Sequence, residues 1–106
     1  MKDKIFVWIK RPVEPPRHVC ISNTLEDLQR NVEGRIETMT YCEDLVIICN
    51  EEGLINDLPF NCELCGHYFF GNIIIAGVKG DEFADCPLKT TAGMKEMFPQ
   101  LWEGKS

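Results

Sequence analysis

At 106 residues, with 44% hydrophobic and 26% charged side chains, the chain has the size and balance of one small globular domain spanning residues 1–106. No apolar run approaches the roughly 20 residues a membrane-spanning helix needs, and the short Ile5–Ile9 run lacks a small-residue cleavage pattern, so neither a membrane protein nor an exported one is expected and a cytoplasmic location is. The net charge of −6 is unevenly placed: residues 1–22 carry five Lys/Arg against two Asp/Glu, residues 23–60 two against nine, and residues 61–106 four against six, an acidic middle that argues against nucleic-acid phosphates and suits a cation or a basic partner.

In chain order, Ile5-Phe6-Val7-Trp8-Ile9 is aromatic and β-branched and reads as a strand, and the proline-rich Lys10–Pro16 stretch turns the chain into a second strand over Arg17–Ile21. So short a connection favours an antiparallel pair. Ser22-Asn23-Thr24 offers a helix N-cap with Glu26 and Asp27 in the first turn, Leu25, Leu28 and Val32 share a stripe, and Gly34 is placed to end the helix in a left-handed cap, giving a helix over about 24–33. Arg35–Tyr41 alternates as a half-exposed strand. It turns through Cys42-Glu43-Asp44 into Leu45-Val46-Ile47-Ile48-Cys49, a continuous apolar run of strand length that reads as the buried centre of the sheet. That strand ends in Asn50-Glu51-Glu52-Gly53. Residues 54–61 read as irregular and wrap the sheet edge, because Asn56, Asp57 and Pro59 interrupt any period. Tyr68–Val78 reads as one further strand in which Gly71 marks a bulge or a close approach, 81–87 as a loop, and 91–98 as a last helix, capped by Thr90 or Thr91, with Met94, Met97, Phe98 and Leu101 on one face and Pro99 at its end.

These elements predict an α+β fold: a mainly antiparallel sheet of about five strands with two helices packed on one face. A domain this small with so long an apolar strand as Phe69–Ala76 has more apolar surface than two helices cover, so a homo-oligomer is expected.

Six cysteines are many for this length, yet Cys20, Cys42 and Cys49 sit among strand-like residues without an export signal, so reduced thiols and no structural disulfide are expected. Cys62-x-x-Cys65-x-His67 has ligand types and spacing that zinc uses, with Cys86 or His18 as a fourth ligand. Only one half-site is present, so no metal and no cofactor are expected, and Cys62, Cys65, His67 and Cys86 remain the alternative metal set. As a redox motif the pair is weaker, being away from a helix start that favours thiolate.

The polar tip of the central strand is the candidate binding surface: Asn50, Glu51 and Glu52, with Glu37 from the neighbouring strand and Asn61 returning past the tip. The competing reading has both asparagines satisfying turn backbone groups, and it leads for Asn50 and Asn61. No nucleophile–base pair or phosphate loop accompanies the carboxylates, so no catalytic residue is assigned. Trp8, Tyr41, Tyr68, Phe69 and Phe70 have the surface to stack on a ring, but at strand spacing they read first as core.

Thr24-Leu25 with Gln29, Gly34-x-Ile36-Glu37, Asn50-Glu51-Glu52-Gly53, Leu58-Pro59-x-Asn61 and Gly71 before Ile73–Ala76 together resemble a family from bacteriophages, plasmids and conjugative elements known as domain of unknown function 3846. Members usually carry Arg after the second motif's Asn, where this chain has Cys62, and they lack Cys65 and His67. The resemblance implies a mobile-element origin and no established activity. The expected function is that of a non-catalytic binding protein that sequesters a nucleotide-like small molecule or blocks a host protein, the alternatives being an acidic nucleic-acid mimic and a structural zinc module.

Overall fold

The computed structural model describes residues 3–102. The β-branched runs form strands as their composition dictates: β1 (Lys4–Lys10), β2 (Arg17–Ser22), β3 (Ile36–Cys42), β4 (Leu45–Asn50) and β7 (Ile73–Lys79) make one antiparallel sheet in the order β2-β1-β7-β4-β3, with β8 (Glu82–Ala84) pairing β7 beyond the part of β7 that pairs with β1. A second, two-stranded sheet holds β5 (Phe60–Leu64) and β6 (His67–Phe70). The α+β class, the antiparallel sheet and the two helices therefore stand as expected.

The two helices do not share a face. β4 is buried at every position, and its side chains divide between two cores: Leu45, Ile47 and Cys49 on one side, Val46 and Ile48 on the other. A strand apolar on both faces needs cover on both. Helix α1 (Leu25–Val32) supplies Leu28 and Val32 to the second core, while helix α2 (Thr91–Met97), the 3-10 turn Pro99–Trp102 and the β5–β6 layer close the first with Met94, Phe98, Leu101, Leu64 and Phe69. Met97, expected on the buried face of α2, is 40% exposed. Ile73, Ile74, Ile75 and Ala76 are fully buried within the one chain, which removes the uncovered apolar strand that was the reason to expect a homo-oligomer.

The helix caps follow the sequence with one change. The Thr24 side chain accepts from the Asp27 N–H and caps α1, and Thr90 does the same for Gly93 in α2. At the end of α1 it is Glu33, at φ 65°, that takes the left-handed conformation, with its own N–H donating to Arg30 O and the Gly34 N–H to Gln29 O. Gly34 serves a different need: a Cβ there would lie 2.5 Å from Nδ2 of Asn50.

The long run Tyr68–Val78 is broken in two. Gly71 stands at φ 82°, its N–H donates to Pro59 O at 2.7 Å, and a Cβ there would fall 2.7 Å from the Leu58 side chain, so the chain changes direction and β6 and β7 enter different sheets. The stretch expected to be irregular is so only to Pro59, after which β5 begins, and the expected loop 81–87 contains β8.

Candidate functional site

A cleft of about 570 Å³ lies where the Asn50 end of the β3–β4 hairpin meets β6 and the turn that follows β4. Antiparallel pairing sets Glu37 opposite Cys49, so one carboxylate stands over the floor of the cleft, and Glu51 adds a second from the turn. His67, Tyr68 and Phe70 form the facing wall, and Leu54 overhangs it. Tyr68 and Leu54 are 65% and 67% exposed. Phe60, itself 52% exposed and outside the cleft's lining, packs beside the aromatic pair, its ring centroid 6.2 Å from that of Tyr68 and 5.7 Å from that of Phe70.

Of the five residues expected to converge, Glu37, Asn50 and Glu51 line this cleft, while Glu52 and Asn61 do not. Asn50 is occupied in holding the local backbone. Its Nδ2 donates to the carbonyls of Val32 at 3.0 Å and Glu33 at 3.2 Å, and its Oδ1 accepts from the Glu52 N–H at 2.7 Å, so one side chain joins the end of α1 to the β4 turn. The Glu51 N–H donates to Arg35 O, and its carboxylate lies 3.8 Å from the Arg35 Nε. Both side chains are well exposed, so water screens that pair and leaves the carboxylate able to meet another donor.

Asn61 is placed elsewhere by an irregularity. The β5–β6 register passes from Cys62 opposite Phe69 to Phe60 opposite Phe70, leaving Asn61 as an extra residue turned into the protein. There its Nδ2 donates to Lys10 O and to Gly71 O, both at 2.7 Å, stapling the small sheet to the end of β1.

The alternative metal set is not assembled. Cys62 and Cys86 are buried in the first core, whereas Cys65 and His67 are exposed at and beside the β5–β6 turn, and among the described residues no group of three or more His, Cys, Asp or Glu side chains is placed to hold a metal ion. His18 stacks on Trp8 with ring centroids 4.7 Å apart. Burial pushes the Cys49 thiol up to about 11, helped by the negative charge of Glu37, and burial pushes Cys62 up to about 11 against the pull of Lys10. Neither is a thiolate at neutral pH, so neither is a ready nucleophile. What the cleft offers is negative charge, hydrogen-bond acceptors and aromatic surface, with no Lys or Arg among its described lining residues.

Sequence reasoning placed Glu37, Asn50 and Glu51 together because a hairpin register fixes neighbours. It named Tyr68 and Phe70 as surface for stacking on a ring while reading them first as core, and it missed His67 and Leu54 as their companions in the wall, for which the available signal was the Cys65-Gly66 turn. Among the described residues no helix is long and apolar enough to cross a membrane.

Nothing among curated proteins and nothing among solved structures matches the chain. The motifs that form the Asn50 turn, the Asn61 staple and the Gly71 break all fall inside the match to one family model, which covers residues 1–99, and the chain belongs to that family, the domain of unknown function DUF3846.

Proposed function

We propose that the protein is a non-catalytic binding protein whose cleft captures a target presenting a cationic or hydrogen-bond-donating group to Glu37 and Glu51 beside a flat apolar group that packs on Tyr68 and Phe70. The observation that carries this reading is the pairing of two carboxylates with an exposed aromatic wall in one cleft that no Lys or Arg lines among the described residues. Such a lining repels a phosphate, so a phosphorylated nucleotide recedes as the target. An amine, a nucleoside or a Lys/Arg-bearing protein segment moves forward. The resemblance to mobile-element proteins supplies a setting for this chemistry, a cytoplasmic accessory protein that occupies a component of the host.

Tyramine, which carries an amine beside an aromatic ring, is the probe, with ATP as the contrasting one. In an amide NMR titration tyramine is expected to shift Glu37, Glu51 and Tyr68, ATP is expected to leave them unmoved, and Glu37→Gln with Glu51→Gln is expected to weaken tyramine by about fivefold with unchanged melting. Tyramine shifts confined to other surfaces, or ATP entering the cleft, would overturn the reading.

A further inference from the structure

The wall of the cleft is a strand edge as well as a row of side chains. Cys65 and Gly66 have φ of 53° and 80°, the pair of positive values of a two-residue hairpin turn, so Leu64 and His67 close it as the hydrogen-bonded pair. The next pair, Glu63 and Tyr68, must then turn its N–H and C=O groups outward. For Tyr68, outward is away from β5, and among the described residues β6 pairs with no other strand. The consecutive residues from Gly66 to Phe70 all border the cleft, as they do when a strand presents its edge to a space rather than one face.

We propose that an extended, basic segment of a partner protein adds to β6 as a third strand of the small sheet and fills the cleft. This deepens the binding-protein reading above and rests on it. The charge and pattern of the floor specify the occupant. Glu37 and Met39 lie two residues apart on β3, on the face that carries their partners Cys49 and Ile47, Thr38 between them borders the cleft as well, and Met39 is only partly buried. Alternate residues of an incoming strand have that same spacing, so a Lys or Arg over Glu37 and an aliphatic residue over Met39 come from positions i and i+2 of one segment. The residue between them faces outward beside the exposed Tyr68 ring, where an apolar or aromatic side chain packs. Backbone pairing supplies affinity, and the basic–apolar–apolar order supplies selection. A two-stranded sheet is marginal by itself, and a third strand both extends its ladder and covers the open end of the first core over β3.

The test uses the whole protein and capped peptides of about eight residues built from lysine, tyrosine and valine in that order. Two twins carry N-methyl groups on alternate backbone nitrogens, one on each of the two alternating sets, and a control replaces lysine by aspartate. The expected result is that one twin binds about tenfold more weakly than the parent while the other binds equally, that the aspartate peptide does not bind, and that saturating parent peptide protects the Tyr68 amide from exchange about tenfold. Tyr68→Pro, which removes the outward N–H at an edge position that tolerates proline, is expected to abolish peptide binding, whereas Tyr68→Ala, which loses the ring and keeps that N–H, is expected to retain part of it; should the proline variant not fold, the twins on the unaltered protein decide. If both twins bind as the parent does, or the peptide fails where tyramine succeeds, strand addition is wrong and the cleft reading stands. If neither probe enters the cleft, both fall. Protection of Tyr68 in a peptide-free dimer would make a second copy the occupant and overturn the proposal.

Discussion

Asn50 and Asn61 are buried polar side chains whose use is decided by the carbonyls around them. Asn61 satisfies two, and its Oδ1 is the one buried side-chain oxygen or nitrogen without a partner among the described residues, so its place in the fold rests on its donors. Asn61→Ala is expected to cost roughly 2–4 kcal/mol in urea unfolding, because the Lys10 and Gly71 carbonyls are then left without that donor in a buried place. No periodicity announces this role, since the residue faces inward only through a local insertion in β5, whereas Asn50 and Glu37 were legible from the pairing of a simple hairpin. The thiols give a second prediction. Cys49 and Cys62 ionise near 9.0 when unfolded and near 11 when folded. The unfolded chain therefore releases these protons first as pH rises. Their stabilisation, whole below pH 9, is lost between pH 9 and 11 by roughly 2 kcal/mol per thiol. Urea midpoints across that window are expected to fall, and to fall less steeply in Cys49→Ala.

At the scale of elements, the strands read best where composition and length agreed, as in β1 and β4, and worst where a turn was made from unexpected residues. Tyr68–Val78 looks like one strand because nothing local shows that Gly71 is pinned by Pro59 and Leu58, which lie far enough back in the chain to escape any window. The placing of both helices on one face failed for a reason visible in β4 itself, whose unbroken apolar run calls for two covered faces rather than one. The β5–β6 turn places a cysteine where asparagine or glycine is favoured. Cys65→Asn is expected to stabilise the protein by about 0.5 kcal/mol, seen as a higher melting temperature with the peptide affinity of β6 unchanged.

For the molecule as a whole, covering of both sheet faces within one chain leads us to expect the 12.2 kDa mass of a monomer in light scattering across micromolar concentrations. The cleft carboxylates Glu37 and Glu51 belong to the segment 23–60, where two basic residues face nine acidic ones, so the field around the mouth draws positive charge from a distance. The association rate of the lysine peptide is expected to fall by about tenfold between low and physiological salt, with a much smaller change in its dissociation rate. The small sheet also bears on how the cleft can open. It shares no backbone ladder with the large one and is moored by Asn61 and by the packing of Cys62, Leu64 and Phe69. Opening the entrance at β6 is therefore expected to strain this side-chain mooring and to leave the ladders of the large sheet intact, so that β5 and β6 lose amide protection before β4 and β7 do.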